Sequence, residues 1–412
     1  MRTPPRSRVD RANERWRIAQ DPVLMREMLE RHFQPPEAPR FRVQECRIEY
    51  LRGGDGPRVA VQYNLQLEDI ATGRVYEQVV SGLGYGPGRT RGALESLGRP
   101  EALPAVMGLP FYSYLAELDL LIQVFPFDYR MPALASVMAG PPPEILPPIL
   151  ATFGGGAWQV EVWEPEPVRY RVDQRATLQL RLLARDEETG RLEERRFYLK
   201  LYRDRAKGQR AFASQHTLFE AVAAAGTPFE VAAPVVYADD LSLLVQCGLQ
   251  GTSLQTILQL QGVAALPKVR AAARAVAALH QLPLEIAPEA PSDAVARLQR
   301  GLERIRLSRP DLALIVESLI EAMEIGFEGE PRPIHGDLTL DHILLDGGRV
   351  GLIDFDLLLA GDPLRDLASF AGHLAKTRSR VKKERDQAGA ALHAFLDEYF
   401  AHVPEQWRAR LP

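Results

Sequence analysis

Several features this chain lacks narrow what it does. It has two cysteines, Cys46 and Cys247, far apart in sequence and each in apolar, strand-like surroundings. That excludes a disulfide framework and a cysteine-based metal site, and points to reduced thiols in a cytosolic protein. No apolar run approaches the ~20 residues of a membrane helix. The opening MRTPPRSRVDRANERWRIAQ is charged, with no apolar stretch of a secretory signal behind it. A cytoplasmic protein without a membrane partner is expected. Charge of one sign is lacking too: the formal net charge is −4, and the arginines are scattered among Asp and Glu. Clustered basic residues carry phosphate-backbone affinity, so a nucleic-acid partner is not expected. Oligomeric state leaves no signal.

The 412 residues are 46% hydrophobic and 25% charged, as in an ordinary globular protein of two or three subdomains. After a polar tail and a helix ending near Phe33, the hydrophobic period becomes two: RVQECRIEYL, RVAVQYNLQLED and RVYEQVVSG read as strands joined by turns at 53–56 and 72–73. The pattern recurs over 168–202, where the turn DEETGR (186–191) matches DIATGR (69–74). This reads as a degenerate internal duplication of a three-strand unit, and only the second copy has a lysine in its third strand. Residues 87–157, rich in Pro and Gly, read as an irregular connector. Helical patterns follow at 205–225, 253–281, 293–325 and about 384–401. Sheet followed by helix predicts an α+β protein with parts at 1–150, 151–250 and 251–412.

Chemistry concentrates in IHGDLTLDHILLDGGRVGLIDFDLLLAGDPLRDLA, residues 334–368. His335-Gly336-Asp337 is a loop presenting a carboxylate. Ile343–Leu345 and Val350–Ile353 form two short apolar strands around a Gly347-Gly348 turn, with Asp354 at the end of the second. Phosphoryl transfer needs such a pair: one carboxylate takes the proton of the attacking hydroxyl, the other holds a divalent ion against the nucleotide phosphates.

The segment resembles the catalytic and metal-binding loops of the aminoglycoside phosphotransferase and choline kinase group, within the protein-kinase-like superfamily. His335, Gly336, Asp337, Leu338, Ile343, Leu344, Ile353, Asp354, Phe355, Asp356, Gly361, Asp362, Pro363, Asp366, Leu367 and Ala368 fit that pattern in order. The resemblance implies a two-lobed α+β fold, here with an extra N-terminal β-rich subdomain. It implies ATP (or another nucleoside triphosphate) and Mg²⁺, with Asp337 as base and Asp354 as metal ligand. Lys200, in the strand FYLKLY, would meet the α- and β-phosphates, and Glu220 on the next helix would pair with it. Only six of the 50 basic residues are lysine, so an ammonium at 200 suggests a positional need. The backbone at Gln246, Cys247 and Gly248 would read the adenine edge. His280 is expected to be a buried structural residue and His335 a scaffold. Asp362 and Asp366 would cap and brace the loop, and Asp356 would be an outer partner of the metal.

Two departures stand out. His342 occupies the position where the family has an Asn that serves the metal. Imidazole suits Mn²⁺ better than Mg²⁺, so three readings remain open: altered metal preference, Asp354 as the main metal anchor, or partial loss of activity. The turn at Tyr170–Thr177, which in the family covers the phosphates, contains no glycine, and Arg171 or Arg175 could compensate. The expected activity is transfer of a γ-phosphate to a hydroxyl of a sugar, an aminoglycoside-like compound or another metabolite. The alternative is a non-catalytic nucleotide sensor or scaffold; a nucleotidyl transferase on the same fold also stays open. The acceptor pocket is expected mainly from the helical insertion at about 283–330 and the C-terminal helices, where no aromatic cage for a quaternary ammonium is legible.

Overall fold

The computed structural model describes residues 8–35, 37–53, 58–86, 88–97, 108–286, 330–376 and 382–409. The expected helix at 293–325 and most of the 283–330 part of the expected acceptor pocket lie outside these residues. The chain is α+β. Its contacts divide it into two compact units, Met1–Gln209 with Val235–Val245, and Arg210–Pro234 with Gln246–Pro412.

The first unit begins with helices α1 (Arg8–Ala19) and α2 (Pro22–Phe33). Asp21 caps α2, its Oδ1 accepting from the amides of Val23 at 2.9 Å and Leu24 at 3.1 Å, and Pro22 takes the first turn, where an amide is not needed. Met25, Leu29 and Phe33, spaced by four, form the buried stripe of α2. They pack with Tyr63, Leu65, Val80 and Ile122 on one face of a sheet. That sheet contains β1 (Phe41–Arg52), β2 (Val59–Asp69), β3 (Val75–Gly84), β4 (Tyr112–Leu115) and β5 (Leu120–Val124), in the order β1-β2-β3-β5-β4. Helix α3 (Arg89–Glu95) lies between β3 and β4 in the chain.

Helices α4 (Ala133–Ala139) and α5 (Leu146–Ala151) lead to a second sheet: β6 (Trp158–Arg171), β7 (Arg175–Asp186) and β8 (Leu192–Tyr202), helix α6 (Arg205–Ala225), the short β9 (Glu230–Val231), then β10 (Pro234–Ala238) and β11 (Leu243–Cys247). Its order is β6-β7-β8-β11-β10, the order of the first sheet again. The repeat therefore covers five strands. Only the meander of three keeps a readable pattern, because the last two strands of each copy are short.

The matching turns are built alike. Asp69 Oδ1 accepts from Ala71 and Thr72 at 2.8 and 3.0 Å, and Asp186 Oδ1 from Glu188 and Thr189 at 2.9 and 3.1 Å. Gly73 and Gly190 close the turns at φ 68° and 71°, a conformation glycine adopts without steric cost. Counted from the two aspartates, Leu83 holds the place of Lys200, and the registers agree: Leu83 faces Ala60 and Lys200 faces Thr177.

The second unit is mainly helical, with α6 from Arg210 onward, α7 (Leu254–Gln261), α8 (Leu266–His280), α9 (Leu364–Lys376), α10 (Lys382–Phe400) and α11 (Glu405–Arg408). Alanines at 272, 273, 275 and 277 are buried on α8, and small side chains let helices pack closely. Phe370 of α9 stacks on Phe395 of α10 at 3.9 Å in the same core. Short strands frame the loops: β12 (Thr252–Ser253), β14 (Ile343–Asp346), β15 (Arg349–Leu352) and β9 form one sheet, and β13 (Arg332–Ile334) pairs with β16 (Leu359–Gly361). Among the described residues no helix is long and apolar enough to cross a membrane.

Candidate active site

The site in the second unit is assembled around a buried carboxylate. Asp366, at the start of α9, has no exposed surface. Its Oδ2 accepts from the His335 amide at 2.7 Å and its Oδ1 from the Gly336 amide at 2.9 Å, while His280 Nε2 of α8 donates to Oδ2 at 3.1 Å. Burial alone would raise this carboxyl's pKa. The hydrogen bond and charge of His280, helped by His335, outweigh it and hold the group below the ordinary carboxylate range. His280 is fully buried, with Nδ1 2.8 Å from the Tyr399 hydroxyl, as its sequence context suggested. Asp366 thus braces the loop that presents Asp337. Gly336 in that loop sits at φ 80°, and a Cβ there would lie 2.3 Å from the Leu357 carbonyl oxygen, so the close approach of the two loops requires glycine.

Beyond Gly336, the Asp337 side chain is exposed. The pair β14–β15 aligns Ile343 with Leu352, and the Ile353 amide donates to the His342 carbonyl at 3.0 Å, which brings His342 and Asp354 together. Asp354 holds a left-handed conformation, φ 67° and ψ 51°. A non-glycine residue there costs about 1–2 kcal/mol, although aspartate tolerates it better than most. His335 Nε2 donates to the Ile353 carbonyl at 2.8 Å, and its ring stacks on that of His342 at 5.3 Å with planes 9° apart.

His342 is the member that the family pattern did not supply. Its Nδ1 lies 2.8 Å from the Asp337 carbonyl oxygen, which can only accept, so Nδ1 carries the proton. Burial, then the neighbouring His335, lower its pKa from 6.5 against the opposing pull of Asp354, so the ring is neutral near pH 7. Nε2 then presents a lone pair 3.5 Å from Asp354 Oδ2. These two donors face each other across a gap that could admit a divalent cation; among the described residues no group of three or more His, Cys, Asp or Glu side chains is placed to hold one.

The same pKa has a consequence for stability. Because the folded state holds this proton less readily than the unfolded chain, stability is fullest above about pH 6.5 and declines as the pH falls from there toward the lower folded value. Urea unfolding followed from pH 8 to pH 5 is expected to show that decline, with a shallower slope in His342→Asn.

The other expected residues lie as follows. Lys200 is 7% exposed on β8, opposite Thr177. The Glu220 side chain is 68% exposed and pairs with His216, 3.4 Å away and one helical turn back. The buried face of α6 is carried by Gly208, Ala211, Gln215 and Leu218, so the inward polar residue is Gln215, whose Nε2 donates to the Ala232 carbonyl at 3.0 Å. Helical spacing from Ala211 and Leu218 would have singled it out. At the expected adenine edge, the Cys247 amide donates to the Ala233 carbonyl at 2.8 Å and is thereby removed from the donors available to a base. Gln246 is buried, and its Oε1 has no hydrogen-bond partner among the described residues.

These loops lie within residues 163–409, which match the model of the phosphotransferase enzyme family. The chain belongs to that family, and its first sheet lies outside the matched span. No curated protein matches the sequence. Solved structures similar to it include the macrolide 2′-phosphotransferase MphH from Brachybacterium faecium, at 19% identity over 64% of this chain and 86% of that one, with a TM-score of 0.41. An amicoumacin kinase, hAmiN, solved with AMP-PNP, Ca²⁺ and Ami, is 13% identical over 66% and 80%, with a TM-score of 0.43. A choline/ethanolamine kinase family protein from Mesorhizobium loti is 15% identical over 67% and 78%, with a TM-score of 0.39.

Proposed function

We propose that this phosphotransferase moves the γ-phosphate of ATP, or of another nucleoside triphosphate, to a hydroxyl of a small molecule such as a sugar, an aminoglycoside-like compound or another metabolite. The observation that carries the reading is the shared anchorage of its two acids: Asp337 follows a loop tied to Asp366, and Asp354 follows a strand tied to that loop through His335.

Asp337 accepts the proton as the acceptor's oxygen bonds to phosphorus, the bond to the β-phosphate oxygen breaks, and the nucleoside diphosphate leaves. Lys200 serves the phosphates as a point charge. His342 and Asp354 would hold a divalent ion, which supplies charge neutralisation for the phosphates when bound. His335 and Asp366 keep the loops in place, a rigidity that phosphoryl transfer uses directly.

With a nitrogen in the ligand set, the site should favour Mn²⁺ over Mg²⁺. Metal titrations of the protein by calorimetry, with no nucleotide added, are expected to show this preference. His342→Asn should shift the Mn²⁺:Mg²⁺ affinity ratio toward Mg²⁺ by about tenfold or more. An unchanged ratio would remove His342 from the ligand set.

A non-catalytic nucleotide sensor is the second reading, favoured by His342 in place of the family's Asn and by the outward position of Glu220. Incubation with γ-³²P-labelled ATP and a panel of hydroxylated acceptors separates the two. Labelled product supports the transferase; metal-dependent nucleotide binding with no transfer, even to water, supports the sensor.

A further inference from the structure

The first sheet lies outside the span that matches the family, yet it grips the β6–β7 turn of the second. Two of its side chains, Gln62 and Tyr50, and Asp128 just after β5 take up the turn's polar groups. Gln62 Oε1 accepts from the Val172 amide at 3.3 Å, Asp128 Oδ2 accepts from the Asp173 amide at 3.1 Å, and the Gln174 side-chain amide donates to the Tyr50 hydroxyl. The Tyr170 hydroxyl donates to the same Asp128 oxygen at 2.8 Å. At the tip, Asp173 is 2% exposed with φ 58°, and three guanidinium groups converge on its carboxylate: Arg52, Arg130 at 3.5 Å and Arg203 at 3.1 Å.

The place where the tip lands is informative. Val172 is fully buried against Ala60, Leu83 and Leu121. Ala60 and Leu83 hold the positions that Thr177 and Lys200 hold in the second copy. The first sheet thus has a leucine where the second has a lysine, and the face that leucine occupies is filled by the second sheet's turn. That turn opens β7 a few residues ahead of Thr177, opposite Lys200, and Arg203 ties its tip to the end of the Lys200 strand.

We propose that the first sheet is a degenerate copy of the nucleotide-binding sheet whose former ligand face is now a socket, and that it fixes the β6–β7 turn so that nucleotide binds a preset surface beside Lys200. Asp173 is the positioning residue. The socket explains how a turn without glycine serves here. A glycine-rich turn gains amides for phosphate and loses order; this one has its Val172 and Asp173 amides engaged by side chains and is ordered before any ligand arrives, which lowers the entropic cost of binding. The proposal rests on the reading that nucleotide binds at Lys200.

Asp173→Gly tests it, because glycine accepts the left-handed backbone without steric cost and removes the carboxylate. The three arginines are each about a third exposed and can turn to water, so the fold should survive. Amide hydrogen exchange at 172–174 is expected to quicken, and the Kd for ATP with Mn²⁺ to rise by about tenfold or more, while kcat for ATP hydrolysis at saturation stays within about twofold. Arg52→Gln should move both quantities in the same direction and less far. Faster exchange with an unchanged Kd would overturn the link to nucleotide, and unchanged exchange would overturn the socket. Wild-type protein that binds no nucleotide would instead overturn the kinase reading, while the exchange measurement would still decide whether the first sheet holds the turn.

Discussion

Asp366→Ala is expected to destabilise the protein by about 3–5 kcal/mol, the loss typical of removing one member of a buried charged network. Two backbone amides, at the buried His335 and the partly buried Gly336, and the buried His280 ring would lose their acceptor. Each buried donor left unsatisfied costs about 1–3 kcal/mol, and partial repacking keeps the total below the sum. Asp366→Asn keeps the shape and one acceptor oxygen, so a smaller loss of roughly 1–3 kcal/mol is expected. Chemical denaturation of both variants measures the difference. The wild type should show the matching acid sensitivity. A carboxyl held below its unfolded value of about 3.9 stabilises fully above that pH, and the contribution is lost as pH falls through the lower folded value.

The site was legible in the sequence to the extent that it is local. Asp337, Asp354 and their glycines lie within one continuous stretch whose strand-turn-strand pattern fixes the spacing, and the same holds for the brace at Asp366. What the sequence left open depends on contacts across the chain. For His342 the sequence leaves three readings open; its proton on Nδ1 and its lone pair toward Asp354 follow from a carbonyl and a carboxylate that only the folded loop brings near. Motif order singles out Glu220, while the helix's burial stripe runs through Gln215 and leaves Glu220 exposed. The fold shows the same limit. Twin DxxTGR turns disclosed a three-strand repeat, while the two further strands of each copy, with four or five residues apiece, carry too little alternation to read. The landing of Val172 on Leu83 has no local signal at all.

In the proposed reaction Asp337 takes the proton from the attacking hydroxyl. The direct measurement is the rate of ADP formation by wild type and Asp337→Asn, with water or a hydroxylated acceptor as nucleophile, alongside the Kd for ATP. Asparagine keeps the size and removes the basicity, and the exposed position of Asp337 leaves the braced loop undisturbed. General-base catalysis contributes about 10²–10⁴-fold, so the variant should be slower by that factor at unchanged ATP affinity. Equal rates in the two proteins would show that the chemistry is done without Asp337 and would contradict the account.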